Sequence, residues 1–172
     1  IRDRVLTMIA VWIAQQKDIY KLKREEYVKD IRNLTHDVET VLKIGEQAIN
    51  NEVINMFTDK SSCFLLGKGM GEGTSREGAL KIKEISYIHT EGYSSSALKH
   101  GPFALLEKEF PIILFVPTDE HFSKNYNALQ EVASRGASIL CIHNSIDRTN
   151  EVCIKEDDSS LFDSVKHSVC VP

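Results

Sequence analysis

Residues 61–106 read SSCFLLGKGMGEGTSREGALKIKEISYIHTEGYSSSALKHGPFALL, and this stretch decides the fold. A short apolar run, Cys63 to Leu66, enters four alternating glycines, Gly67, Gly69, Gly71 and Gly73. Thr74 and Ser75 then open a helix over residues 75–89. A polar loop follows and ends in Leu98-Lys99-His100-Gly101-Pro102. Strand, glycine loop and helix N-terminus in that order leave backbone N–H groups unpaired in a field that favours negative charge. Such a corner suits a small anionic or hydroxylated ligand. Two nucleotide motifs fail here. G-x-G-x-x-G meets Glu72 or Thr74 where its third glycine belongs, and no Gly-Lys-Ser/Thr closes a P-loop. A tight strand-to-helix turn without any ligand accounts for the glycines equally well.

Downstream the pattern alternates. Residues 111–116 (PIILFV) predict a buried strand, 121–135 a helix stopped by Gly136, 138–142 a strand and 152–154 a short one. Val169-Cys170-Val171 opens a further element. Continuous apolar strands between helices indicate a parallel sheet covered on both faces with right-handed crossovers. The fold class is therefore α/β, doubly wound, with ligands expected at the carboxyl ends of the strands. Upstream, Val5, Met8, Ile9, Trp12 and Ile13 recur at helical spacing, so residues 1–16 predict a helix. Residues 17–26 read as a connector and the start of the next helix. From Tyr27 the apolar positions Ile31, Leu34, Val38, Val41, Leu42 and Ile49 keep a helical period towards Phe57, in one long helix or two shorter ones. Gly45 is the weak point. Two domains follow: residues 1–58 as a helical segment and 59–172 as the α/β domain. The chain begins at Ile1 and ends at Pro172 within such patterns, as a piece of a longer polypeptide would.

Composition narrows the function. With 42% hydrophobic and 27% charged residues the chain can bury a sizeable core. A net charge of -4 and the lack of a basic run argue against nucleic acid. No apolar run reaches the roughly 18 residues of a membrane span. Cys63, Cys141, Cys153 and Cys170 lack CxxC spacing and sit among apolar residues, so they read as buried thiols of a reducing compartment, the cytoplasm. They suggest no metal centre.

The helix after the glycines carries the candidate chemistry. Glu77, Lys81, Glu84 and Ile88 share one face, and Gly78, Ile82, Ile85 and His89 form a second, largely apolar stripe. Taken alone, the first face is a solvated Glu–Lys ladder worth about 0.2–0.5 kcal/mol per pair. Its company is more suggestive, because His100 follows in the LKHGP turn. A carboxylate and a histidine near one sugar can divide an aldose–ketose isomerisation. The carboxylate would move a proton between C1 and C2, and the imidazole would open the ring. A neighbouring lysine would hold the carboxylate ionised and meet developing negative charge. Gly92–Ser96 reads as a flexible loop that lets His100 leave its own subunit.

The run EGALKIKEISYIHTEGYSSSALKHGPFALLEKEFPII closely resembles the second sugar-isomerase (SIS) domain of the glutamine–fructose-6-phosphate aminotransferases, the glucosamine-6-phosphate synthases. The likeness spans roughly residues 61–143. It implies a five-stranded flavodoxin-like sheet, with residues 1–58 as the helices that join two SIS domains. Fructose 6-phosphate is the implied acceptor and glutamine-derived ammonia the donor, with glucosamine 6-phosphate as product. No metal or organic cofactor is implied. Glu84 matches the family's base for the C1–C2 proton transfer, His100 its ring-opening histidine, contributed across a homodimer interface, and Lys81 the lysine lining the pocket. The remaining domains of such an enzyme would be partners: a glutaminase, a first SIS domain with the phosphate loop, and a C-terminal tail with a Schiff-base lysine. This chain departs from the pattern at Thr74-Ser75-Arg76, where apolar residues are usual, and at Ala97, where an acid is usual, after the run Ser94-Ser95-Ser96. Two alternatives stand beside this one. One is another SIS-fold isomerase or deaminase in which Thr74 and Ser75 bind phosphate. The other is a non-catalytic sugar-phosphate-binding regulator.

Overall fold

A computed structural model describes residues 2–144 and 167–171. They divide into two compact units, 1–43 and 44–172. The first unit contains helix α1 (Arg2–Gln16) and most of α2 (Lys21–Ala48). Arg24 reaches from α2 to the Ala14 carbonyl (2.6 Å) and to Asp18 (3.4 Å), which ties the two helices where the chain turns. Leu6, Met8 and Trp12 stay exposed, so the apolar stripe read from the sequence is not buried within this unit. Gly45 does not break α2. The break comes at Asn50, whose side chain accepts from the Glu52 and Val53 N–H groups and starts α3 (Asn51–Asn55). No helix among the described residues is long and apolar enough to cross a membrane.

The second unit is built on five strands: β1 (Ser62–Gly67), β2 (His89–Ser94), β3 (Pro111–Val116), β4 (Ser138–Asn144) and β5 (His167–Val171). They run parallel in the order β2-β1-β3-β4-β5. That is the flavodoxin-like order of doubly wound sheets. Helix α4 (Met70–Ser86) joins β1 to β2, and α5 (Phe122–Ser134) joins β3 to β4. Two 3-10 turns, Leu98–His100 and Pro102–Leu105, lie between β2 and β3. The expected strand at 152–154 lies outside the described residues.

Strand alternation sorts the core into two layers. Phe64 and Leu66 of β1 and Ile112, Leu114 and Val116 of β3 point to one face, where Phe122, Leu129 and Val132 of α5 meet them. Leu98 and Leu106 of the β2–β3 connection belong to this layer. A fully buried leucine such as Leu98 stabilises by roughly 1.5–3 kcal/mol relative to exposure. The other face carries Ile113 of β3 and Leu140 of β4, packed against Val53 and Met56. Helix α4 covers this second face too, with Gly78 against Leu65 and Gly71 against Phe115. The crossover rule demands this arrangement. A step from β1 outward to β2 and a step back from β2 to β3 go in opposite directions, so right-handed connections must use opposite faces.

Two expectations about residues 70–94 are corrected. The helix starts at Met70, so Gly71 and Gly73 lie inside it and the glycine turn shrinks to Gly67-Lys68-Gly69. It ends at Ser86, before His89. Tyr87 takes a left-handed conformation (φ 61°), and its N–H caps the Lys83 carbonyl. His89 therefore stands on β2, a strand the sequence does not announce. All six of its residues pair with β1, from Ser62 with His89 to Gly67 with Ser94.

Candidate functional site

Lys81 and Glu84 are brought together. The Lys81 ammonium donates to Glu84 Oε2 at 2.8 Å and lies 3.9 Å from Glu77 Oε1. Helix geometry explains the grouping. Gly71, Ser75 and Ala79 bury the inner face of α4 at a spacing of four, and Glu77, Lys81 and Glu84 ride on the outer one. The three side chains are half exposed, so the pair contributes little to stability. It leaves a carboxylate held beside a cation, with open approach from solvent.

His100 is not brought to them. It ends the 3-10 turn in which Leu98 plugs the α5-side core, and its own side chain faces solvent. Lys99 holds Glu131 of α5 at 2.6 Å, and the Arg135 guanidinium lies 4.6 Å from the Phe103 ring centroid. The turn thus belongs to the α5 face of the sheet, whereas Glu84 rides on the helix covering the opposite face. Among the described residues no hydrogen bond or ion pair joins His100 to Glu84. The segment before His100 is not the flexible loop read from the sequence. Gly92 to Ser94 is strand, Ser95 and Leu98 are buried, and Ser95 N–H donates to the Gly67 carbonyl at 2.9 Å.

The glycine corner is not an open anion site either. The N–H groups of Gly71 and Glu72 already donate to the Lys68 and Gly69 carbonyls. The Ser75 hydroxyl is buried and bonds back to the Gly71 carbonyl at 2.7 Å, and Thr74 does the same to Met70 at 3.3 Å. The imidazole of His121 fills the space beside Gly69, whose φ of +62° and missing Cβ make room for it. Glu72 brings a negative charge to this first turn. The Arg76 hydrogen bond, helped by Ser94, holds its carboxyl below the usual range. From Met70 to Glu84 the helix rises about 21 Å, so the corner and the Lys81–Glu84 pair lie near opposite edges of the sheet.

Several polar residues at the carboxyl edge were not anticipated. Lys68 Nζ lies 2.6 Å from Ser96 Oγ, and the Ser95 hydroxyl donates to Asn125 Oδ1 at 2.7 Å in a fully buried contact. Tyr93 bonds Glu91, and this bond, with burial, pushes its phenol up to about 12. The one available signal was the serine run, visible only as a departure from the family's pattern.

A doubly wound sheet in this order, with a carboxylate–ammonium pair on one outer face and a histidine turn on the other, defines a flavodoxin-like α/β domain bearing two separated groups suited to proton transfer. The chain belongs to the SIS domain family, whose model matches residues 56–166. It is similar to glutamine–fructose-6-phosphate aminotransferase [isomerizing] 2 of Homo sapiens, with 36% identity over 138 residues, covering 79% of this chain and 20% of the relative. It is also similar to the glutamine–fructose-6-phosphate aminotransferase [isomerizing] of Thermococcus kodakarensis, with 37% identity over 157 residues, 88% of this chain and 25% of the relative. Among solved structures, the C-terminal domain of glucosamine-fructose-6-phosphate aminotransferase from Francisella tularensis superposes with a TM-score of 0.79 at 32% identity. That match covers 96% of this chain and 43% of the other. The chain spans about a fifth to a quarter of the length of such full-length relatives.

Proposed function

We propose that this chain is the second SIS domain of a glutamine–fructose-6-phosphate aminotransferase and supplies part of its isomerising centre. The substrate is fructose 6-phosphate, the nitrogen comes from glutamine as ammonia, and the product is glucosamine 6-phosphate. Glu84 moves the proton between C1 and C2. Lys81 donates to that carboxylate at 2.8 Å and faces the enediol oxygens as they gain negative charge. His100 opens the ring by exchanging a proton with the ring oxygen. The remaining domains of the same polypeptide bring the phosphate site and the ammonia source. Buried free thiols at Cys63 and Cys141 support a reducing compartment, the cytoplasm.

One observation carries the shared-site part of this reading: Glu84 and His100 stand on opposite faces of one sheet. A pocket using both therefore takes them from two chains, as an isologous two-fold dimer provides. The alternative in which Thr74 and Ser75 bind phosphate loses its ligands, because both hydroxyls are spent on helix carbonyls.

Complementation tests the reading. Full-length chains carrying Glu84→Gln or His100→Ala are each expected to keep only a small residual rate, down by about 10²–10⁴. Mixed into verified hybrid dimers, they should regain at most about half the wild-type activity per dimer, since one pocket then holds both native residues. Hybrids that stay at that residual rate would place His100 in its own subunit's pocket and end the shared-site reading.

A further inference from the structure

We infer that the buried Ser95–Asn125 hydrogen bond is a positioning device for His100, resting on the proposed role of that histidine. The three serines before the histidine turn each take a different partner. Ser94 bonds the Glu72 carboxylate of α4, Ser95 bonds Asn125 of α5, and Ser96 bonds Lys68 of the β1–α4 turn. The connection is thereby pinned at the point where it leaves β2. Two further links to α5 follow down the same helix, Lys99 with Glu131 and Phe103 with Arg135. His100 sits between them, and its backbone N–H donates to the Ala97 carbonyl. Its side chain is exposed and its backbone is not free.

The Ser95–Asn125 contact differs from the others. Asn125 is wholly inaccessible, and among the described residues its Nδ2 has no hydrogen-bond partner. An orphaned buried donor is destabilising, and an apolar pair of similar shape would suit this place at least as well. Stability alone does not account for an asparagine here. A directional bond does something an apolar contact does not: it sets the register of Ser95, five residues before His100, against α5. A histidine that must meet a sugar held by another chain needs that register, because a misplacement of about 1 Å at a catalytic group can cost on the order of a hundredfold in rate.

The test uses the full-length protein. The double variant Ser95→Ala/Asn125→Leu removes both partners, and its melting temperature should equal or exceed that of the wild type. Its kcat on fructose 6-phosphate should fall roughly 10- to 100-fold with little change in KM. The decisive readout is coupling. In a His100→Ala background the same two substitutions should produce no further loss, since they act only through the histidine. A double variant with wild-type kcat, or a loss that persists undiminished without His100, would overturn the positioning role. Should the double variant not fold, Lys68→Met cuts the Ser96 link alone and should show a smaller kcat loss with the same coupling. If His100→Ala itself has the wild-type rate, the proposed function fails at that residue and the positioning role falls with it.

Discussion

Glu84 and Lys81 show how much a residue's address in the fold adds to its type. As a Glu–Lys pair three apart on a helix they are unremarkable, and half of each side chain is open to water. Under the proposed function, their place on the outer face of α4 makes them a base and its counter-charge. Glu84→Gln keeps the shape and removes the base, and the full-length enzyme should lose about 10²–10⁴ in kcat, read by glucosamine 6-phosphate formation. A second expectation belongs to the thiols. Burial pushes Cys63 and Cys141 up to about 12, from an ordinary 9.0. Below about pH 9 both thiols are protonated folded and unfolded, so they add no pH dependence. Above it the unfolded chain releases these protons and the folded one keeps them, so stability should fall as pH rises from about 9 towards 12. Urea unfolding near pH 8 and pH 10.5 measures this, and Cys63 and Cys141 of the folded protein should resist thiol reagents at the lower value.

At the scale of elements, β1, β3 and β4 were legible because burial on both faces writes them as unbroken apolar runs. Strand β2 was not. HTEGYS buries only Thr90, sits at the sheet edge and owes its conformation to β1 rather than to its own composition. The start of α4 was misplaced for a related reason. Glycine favours turns, yet Gly71 is helical, and the residue that must lack a side chain is Gly67, where a Cβ would run into the Gly71 carbonyl of the passing helix. The same closeness makes Gly92 critical. A Cβ there would lie 2.6 Å from the Arg76 backbone, so Gly92→Ala should force β2 from α4 and cost roughly 1–3 kcal/mol, seen as a lower urea midpoint. Gly45 is the opposite case. It lies in the interior of α2 with nothing within 4 Å of a Cβ, and Gly45→Ala should stabilise the helix by about 0.5–1 kcal/mol. Lys81 and Glu84 could be picked out from spacing and resemblance. The partners of the serine run could not, because Ser95 and Asn125 are thirty residues apart and meet only once the sheet has formed.

For the whole molecule, topology limits what these 172 residues do alone. The purified piece should form no glucosamine 6-phosphate from fructose 6-phosphate and glutamine, because it corresponds to about a quarter of its relatives and splits the proposed acid–base pair between two faces. Measurable turnover by the piece, checked by product chromatography, would show that one chain closes a working pocket.

The two-faced placement of Glu84 and His100 also has a meaning for inheritance. Under the shared-pocket reading, a subunit lacking one of the two residues is recessive: beside a normal partner it spoils one pocket and leaves the other. A subunit lacking both is dominant, since each pocket of the mixed pair then misses one residue. With random pairing at equal expression, only about a quarter of the assemblies, those with two normal chains, would keep any activity. With the same two lesions on opposite alleles, half of the dimers would keep one pocket each, so about a quarter of all pockets would survive in either arrangement.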